Sequence, residues 1–363
     1  SGMLEAARTL GLGPWRAFFV VSLPLARPAI VAGVALALME TLADYGTVAY
    51  FAVNTFTTGI YRAWFSLGDR VAAAQLAAML LAFVLFLLTV ERISRGRSRY
   101  HNTTGRNRPL AGARLRGASA WLAVFACLLP LLLGFLLPAA LLLKMAFAEG
   151  DAQFGERFLI LSRNSFLLAG ITAAIAVLLA LLLGYGARLS KGPLARGLNR
   201  LVGLGYAVPG AVIAVGVLIP VTRLDNWLAA QWTAWFGTNP GLLLTGGIAA
   251  LVYAYLVRFL AVALHTVESS LAKITPSMDD AARSLGLGQG ATLRRVHAPM
   301  LRGALFTAGL LVFVDVMKEL PATLVMRPFN FDTLATQTFT LAADERLAEA
   351  STAALAIVAV GLL

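Results

Sequence analysis

Residues 5–30 read EAARTLGLGPWRAFFVVSLPLARPAI, and residues 280–305 read DAARSLGLGQGATLRRVHAPMLRGAL. The two stretches align without a gap, 275 positions apart, and a long apolar stretch follows each of them. A short polar helix, a glycine-containing turn and a second helix, repeated beside membrane-length segments, predict a docking element for a partner with two-fold symmetry. We call residues 5–24 loop 1 and residues 280–299 loop 2.

The composition places the chain in a lipid bilayer. Hydrophobic residues make up 59% of the sequence and charged residues 13%, and the mean hydropathy is +0.78. Soluble domains are about half apolar and about one quarter charged. Apolar runs of about 20 residues recur along the chain, which is the length that an α-helix needs to cross a bilayer. The sequence therefore predicts an all-α, polytopic bundle of transmembrane helices.

Basic residues between the apolar runs predict the orientation of the chain. We predict eight spans, near residues 28–50, 71–90, 119–143, 164–187, 201–221, 244–264, 302–320 and 349–363. In the linker 91–118, eight arginines accompany one acid, Glu91, and the loop at 188–200 has four basic residues and no acid. Cytoplasmic loops concentrate Lys and Arg in this way. The net charge of +12 is thus explained by membrane topology, and no nucleic-acid partner is expected.

Few side chains are suited to catalysis or metal binding. The single cysteine, Cys127, lies inside an apolar run, which excludes an intrachain disulfide and a cysteine metal site. The three histidines are far apart in sequence, so no metal site is predicted. The glycines at 286–290 lack the GK[ST] ending of a phosphate-binding loop, and the chain has no Walker motif. We therefore expect a transport subunit rather than an enzyme.

Loop 1 has the residues of a short helix followed by a sharp turn. Glu5 lies in the first helical turn, where the helix dipole favours an acid. Gly11 and Gly13 are expected to end the helix by adopting positive φ, and Pro14 suits the first turn of the next helix. In loop 2, Gly286 occupies the position of Gly11. The alternative is an amphipathic hairpin at the membrane surface that has no partner.

The repeat divides the chain into two parallel halves, an arrangement common in transporters. Residues 1–90 form the C-terminal part of a first half, with loop 1 and two spans, and residues 91–118 form a basic cytoplasmic linker. Residues 119–363 form a second half with six spans and its loop at 276–300. Because loop 1 lacks the four spans that precede loop 2, we expect a truncated first half, with about 110 or more residues ahead of Ser1.

The two loops resemble the EAA loop of bacterial ATP-binding-cassette (ABC) importer permeases. The resemblance rests on Glu5-Ala-Ala, Gly11 and Leu23-Pro24, and on Asp280-Ala-Ala, Gly286 and Ala298-Pro299. It implies the type I importer permease fold, insertion in the bacterial inner membrane, and docking of two ATPase subunits on the cytoplasmic side. The residues that it assigns to ATPase coupling are Glu5, Ala6, Ala7, Arg8, Gly11, Asp280, Ala281, Ala282, Arg283 and Gly286. Asp280 and Ala298 depart mildly from the first copy and could make the two docking sites unequal.

A narrower similarity concerns the substrate. Residues 39–65 and 314–339 resemble the fused two-half permeases of ferric-iron importers, and they share features with permeases for thiamine and aminophosphonates. The resemblance implies that ferric iron passes from a periplasmic binding protein to the cytoplasm by alternating access, with ATP hydrolysed by separate subunits and no cofactor. Two alternatives stay open: a permease for thiamine or another small solute, and a secondary transporter driven by an ion gradient.

Charged residues within the predicted spans are candidates for a translocation path. The candidates are Glu40, Asp44, Tyr45, Asp315, Lys318 and Glu319. Glu40 and Asp44 share one helix face, and Asp315 and Glu319 stand 275 positions later. Charges at this depth face a water-filled path or one another. The four acids therefore either line the path or form a structural network in which Lys318 neutralises one of them.

Overall fold

The computed structural model describes residues 6, 7, 9–95, 115–148, 154–190 and 192–362, and over these residues the regular secondary structure is helical. The helices are α1 (Pro14–Ala43), α2 (Gly46–Tyr50), α3 (Phe56–Tyr61), α4 (Arg70–Arg95), α5 (Ala118–Phe147), α6 (Glu156–Leu189), α7 (Pro193–Gly203), α8 (Gly210–Phe236), α9 (Ala249–Leu271), α10 (Pro276–Ser284), α11 (Gln289–Met317), α12 (Pro321–Met326), α13 (Leu334–Ala343) and α14 (Leu347–Gly361).

Most of the predicted spans correspond to long apolar helices. In the described part of the chain, seven helices are long and apolar enough to cross a bilayer, namely α1, α4, α5, α6, α8, α9 and α11. The eighth predicted span coincides with α14, which is apolar but shorter than the others. The prediction of an all-α, multi-span membrane protein is therefore confirmed.

The first span lies closer to the N-terminus than the prediction of 28–50. Helix α1 ends at Ala43, and Tyr45 leaves helical geometry with φ −124°. At its start, α1 runs from Pro14 through Pro28 without a break. Prolines are tolerated inside membrane helices where neighbouring groups satisfy the freed carbonyls. The predicted boundary is therefore wrong at both ends.

The fifth span also differs from its prediction of 201–221. Val208 is extended (φ −81°, ψ 124°) because a residue that precedes a proline avoids the α-helical region. Pro209 then caps α8, which continues to Phe236 and ends at Gly237 with φ +68°. Residues that were expected in an outer loop are therefore mostly helical.

The described residues group into two compact units, one within residues 1–41 and 82–141 and the other within residues 42–81 and 142–363. This spatial grouping differs from the sequence division at 90 and 118, which stays a prediction. In the second unit, α6, α9 and α11 pack on one another. Small buried residues lie in this core, among them Ala169, Ala176, Ala180, Ala263 and Ala308. Such residues allow membrane helices to approach closely.

The backbone repeats with the spacing of the sequence. Gly11 and Gly286 have φ of +83° and +79°. One-turn π-helical segments at Phe18–Ser22 and Leu293–His297 also lie 275 positions apart. Further along, the helices α3 and α13 each begin with a threonine capping box, but these are 278 positions apart, because the second copy has one more residue in the preceding helix and two more in the turn that follows it.

Gly205 provides a test of the packing in the second unit. It lies in a 3₁₀ turn against α9, where an added Cβ atom would overlap the backbone carbonyl oxygen of Val257. A backbone atom cannot move aside, so Gly205→Ala should destabilise the protein by about 1–3 kcal/mol or more. Gly216→Ala in α8 is the control, since a Cβ atom there meets nothing within 4 Å. The measurement is the unfolding temperature of each purified variant in detergent, and equal temperatures would contradict the packing described.

Candidate functional site

Loop 2 begins within a short helix, α10, that ends in a glycine cap. Helix α10 begins at Pro276. At its C-terminus, the Gly286 N–H donates to the Arg283 carbonyl (2.9 Å) and the Leu287 N–H donates to the Ala282 carbonyl (3.0 Å). These two bonds form a Schellman motif, in which the capping residue adopts positive φ. The positive φ predicted for Gly286 is therefore confirmed.

Loop 1 ends its helix in the same manner. The Leu12 N–H donates to the Ala7 carbonyl (3.1 Å), and Gly11 has the predicted positive φ. The same prediction for Gly13 is wrong, because Gly13 is the extended residue (φ −62°, ψ 160°) that caps the start of α1. Glu5 and Arg8 lie outside the described residues.

Both loops expose the same kinds of side chain. The second alanine of each motif, Ala7 or Ala282, is buried, whereas the alanine before it is exposed. Two equivalent leucines at the helix ends, Leu10 and Leu285, are 83% and 81% exposed. Each loop therefore offers a small patch with a flat alanine surface and a protruding leucine.

Asp280 and Arg283 flank this patch in loop 2. Their side chains form an ion pair of 2.7 Å, and both are largely exposed. An exposed pair of this kind contributes about 0–1 kcal/mol to stability. Both side chains are thus accessible to a partner, and breaking their ion pair would lower the stability of the protein only slightly.

Asp279, which lies in α10 directly before loop 2, is the centre of a more buried group that the sequence analysis missed. Its carboxylate accepts hydrogen bonds from Arg188 Nε (2.9 Å) and Nη2 (2.7 Å), and its other oxygen lies 2.6 Å from His297 Nε2. The Tyr185 hydroxyl donates to the Gln289 carbonyl (3.0 Å), and the Tyr185 ring lies beside the His297 ring. We call Tyr185, Arg188, Asp279 and His297 the Asp279 cluster.

The protonation state of Asp279 follows from these contacts. Burial acts to raise the pKa of its carboxyl, but the hydrogen bonds and charges of Arg188 and His297 outweigh burial and hold that pKa below its usual range. The carboxylate is therefore ionised at neutral pH. Because it faces His297 Nε2 as an acceptor, that nitrogen carries the proton of the bond.

Among the candidate path residues, Glu319 is the most deeply buried. Its carboxylate accepts hydrogen bonds from the Ala322 N–H (3.1 Å), the Thr323 N–H (3.1 Å) and the Thr323 hydroxyl (2.9 Å). It also forms a 3.1 Å ion pair with Arg258 of α9. Glu319 therefore caps the start of α12 and is neutralised by Arg258 rather than by Lys318.

The other candidate path residues make different contacts from those of Glu319. Asp315 pairs with Lys318 (3.1 Å), as the network hypothesis expected for one acid. Tyr45 stacks on Tyr61 with 3.8 Å between ring centroids. Of the remaining acids, Glu40 is exposed and Asp44 is half-buried.

A cavity of about 950 Å³ lies in the second unit beside Lys318. Its walls come from α2, α13 and α14, and its charged lining residues are Lys318 and Glu345. Most of the remaining lining is apolar, including Tyr50, Leu320 and Phe339. Within the described residues, no three His, Cys, Asp or Glu side chains are grouped as metal ligands.

Arg258 and Glu319 give a test of the structural role of this network. Glu319→Gln leaves the Arg258 guanidinium buried without its counter-charge, and breaking one side of a buried pair costs about 3–5 kcal/mol. We expect a large loss of folded protein, measured as the monodisperse fraction on size-exclusion chromatography. Asp315→Asn is the matched control, because its partner Lys318 is 52% exposed and the pair contributes about 0–1 kcal/mol. Equal yields for the two variants would refute the network.

Comparison with known proteins agrees with this geometry. Residues 1–99 match the family described as binding-protein-dependent transport system inner membrane component. Over 361 residues the chain is 27% identical to the Fe(3+)-transport system permease protein FbpB 2 of Haemophilus influenzae, covering 98% of this chain and 68% of that protein. Over 104 residues it is 35% identical to the molybdenum transport system permease protein ModB of Escherichia coli, covering 26% of this chain and 45% of the relative.

The fold has a counterpart among solved structures. A bacterial ABC transporter involved in the import of the acidic polysaccharide alginate superposes with a TM-score of 0.51 at 17% identity, over 67% of this chain and 92% of that one. The chain spans between about half and two thirds of the length of the curated relatives above. By these matches, and by the seven membrane-length helices in the described part of the chain, the protein is similar to the inner-membrane permease components of ABC importers.

Proposed function

We propose that this permease moves ferric iron from a periplasmic binding protein into the cytoplasm by alternating access. Two ATPase subunits would dock at loop 1 and loop 2 and supply the energy. The observation that carries the proposal is the repeated glycine-capped helix, with matching positive φ at Gly11 and Gly286 and matching exposed leucines at its end. A partner with two-fold symmetry can bind two such surfaces in the same way.

The geometry of the loops suits insertion into a cleft. A helix with an exposed alanine face lets another protein approach its backbone closely, and a single exposed leucine supplies an apolar anchor. Burial of such an apolar side chain in a partner's cleft would be favourable by about 1.5–3 kcal/mol. The Asp280–Arg283 pair lies beside them and can exchange its intramolecular partner for one on the ATPase.

The state of Glu319 argues against the gradient-driven alternative. A proton relay needs a carboxylate that gains and loses its proton during transport. Glu319 is instead held by Arg258 and by the backbone at the start of α12, so its protonation would break a helix cap and a buried ion pair. This arrangement favours a structural role for Glu319 in a transporter powered from outside the membrane.

The substrate assignment rests on the extent of one similarity. The relative that covers 98% of this chain is named as an Fe(3+) permease, whereas the molybdenum permease matches a segment of 104 residues. We therefore name ferric iron as the substrate, and thiamine or another small solute as the alternative within the same class.

The test is uptake by the full-length permease, reconstituted in liposomes with its ATPase and binding protein. We expect radioactive ferric iron on the binding protein to enter only when ATP is inside, and ionophores that collapse ion gradients to have no effect. Parallel assays supply labelled molybdate and thiamine. Uptake that needs a gradient and not ATP would overturn the ABC mechanism, and ATP-driven uptake of another solute alone would overturn the iron assignment.

A glycine substitution tests the coupling role of loop 2. Gly286→Val should uncouple ATP hydrolysis from uptake, because a β-branched residue adopts positive φ only at a cost of about 1–2 kcal/mol or more. No neighbour lies within 4 Å of the Cβ position, so the effect is on the backbone alone. Gly290→Ala is the control, since Gly290 is helical and its Cβ position is equally open. Wild-type uptake per ATP in Gly286→Val would contradict this role.

A further inference from the structure

The Asp279 cluster joins several elements of the second unit at one carboxylate. Arg188 lies in the last turn of α6 and uses all three of its guanidinium nitrogens. Besides its bonds to Asp279, its Nη1 donates to the Leu271 carbonyl (2.9 Å) and its Nη2 to the Ile274 carbonyl (2.9 Å). Arg188 thus satisfies backbone carbonyls at the C-terminus of α9, and through Asp279 it also fixes the first turn of α10.

His297 joins the next membrane helix to the same carboxylate. It is the last residue of the π-helical segment in α11, its side chain is fully buried, and its Nε2 lies 2.6 Å from Asp279. Its Nδ1 is buried and has no hydrogen-bond partner among the described residues. The Tyr185 hydroxyl, which bonds to the Gln289 carbonyl, adds a second link between α6 and the start of α11.

Helix α10 has little else to hold it in place. Of its residues only Ala282 is buried, and the helix is nine residues long. Isolated helices of this length are marginal in water, so tertiary contacts must fix its position. The charged pair of Arg188 and Asp279, with 18% and 21% of the two side chains exposed, supplies the strongest such contact. Charge-assisted bonds are about twice as strong as neutral ones.

The cluster is not repeated in the other copy. The positions 275 residues before Asp279 and His297 are Leu4 and Ser22, which have no side-chain charge. By contrast, the exposed Asp280 and Arg283 correspond to Glu5 and Arg8. The residue types of the exposed pair Asp280 and Arg283 therefore recur in the sequence of loop 1, whereas those of Asp279 and His297 do not.

We infer that Arg188, Asp279 and His297 transmit the movement of α10 to the membrane helices α6 and α11. A force on the exposed surface of α10 reaches α6 through Arg188 and α11 through His297. These three are positioning residues: they face the interior, not the ATPase. The inference rests on the proposed function, because it takes loop 2 to be an ATPase docking site.

The experiment uses two conservative variants of the full-length permease with its ATPase and binding protein in liposomes. Asp279→Asn keeps the shape of the side chain but removes the charge, and Arg188→Lys keeps the charge but cannot also reach both carbonyls. We expect normal amounts of folded protein and of co-purified ATPase, since the exposed surface of α10 is unchanged. Iron imported per ATP hydrolysed should fall about tenfold in Asp279→Asn, within the usual range of coupling energies, and less in Arg188→Lys.

Glu349→Gln is the control, because it removes one acid from another arginine–carboxylate pair, with Arg346, at the start of α14. It should keep the wild-type ratio of iron to ATP. A wild-type ratio in Asp279→Asn, at normal ATPase capture, would overturn the transmission role alone. Loss of ATPase capture in Asp279→Asn would also overturn it, since the residue would then act in docking. If the unmodified permease captures no ATPase, the proposed function itself fails.

Should Asp279→Asn reduce the amount of folded protein, the stimulation of ATP hydrolysis by the loaded binding protein is measured per folded complex. Because the stimulation is expressed per folded complex, it does not depend on the amount of folded protein. A purely structural role predicts the wild-type stimulation in the surviving complexes, whereas a transmission role predicts its loss. Partial recovery in Asp279→Glu, which restores the charge on a longer side chain, would support the transmission role further.

Discussion

Lipid offers no hydrogen-bond partner to a backbone group, and this constraint governs the places where helices of the second unit break. At two of these breaks an acidic side chain accepts the hydrogen bonds of the free N–H groups. Glu319 accepts the N–H groups of Ala322 and Thr323 at the start of α12. Asp225, fully buried in α8, accepts those of residues 243–245 in the turn before α9. Glu319 and Asp225 are thus explained by backbone N–H groups that need acceptors.

A buried carboxylate creates a second requirement, which is a nearby positive charge or donor. Arg258 meets it for Glu319, and the Tyr255 hydroxyl, 2.5 Å from the Thr323 hydroxyl, extends the network into α9. Gly210 leaves the space for this arrangement, because a Cβ atom there would collide with the Glu319 carboxylate and with Arg258. These contacts therefore link three places in the second unit: the turn after α11, the middle of α9 and the start of α8. A substitution at one of them affects the packing at the other two.

Local patterns predicted a large part of this structure, and long-range pairing did not follow from them. Apolar run length located the membrane helices, and the glycine spacing predicted positive φ at Gly11 and Gly286, because both depend on neighbouring residues in sequence. The partner of Glu319 could not be predicted in this way. Lys318 is adjacent in sequence, but Arg258, 61 positions earlier, is adjacent in space. Asp279 was missed for the same reason: next to the repeated Asp280 it had no signal of its own, since Arg188 lies on another helix.

The repeat and its exceptions separate two kinds of constraint in the loops. Under the proposed function, a symmetric pair of ATPases would recognise whatever both loops have in common, which is the glycine cap, the exposed alanine and the exposed leucine. How each loop is attached to its own half is not subject to that symmetry. The sequence keeps Glu5 and Arg8 opposite Asp280 and Arg283, yet has Leu4 and Ser22 opposite Asp279 and His297. Under the proposed coupling, equal movements of two ATPases would therefore act on the membrane helices through different contacts, and the ionic attachment would be a property of the second half.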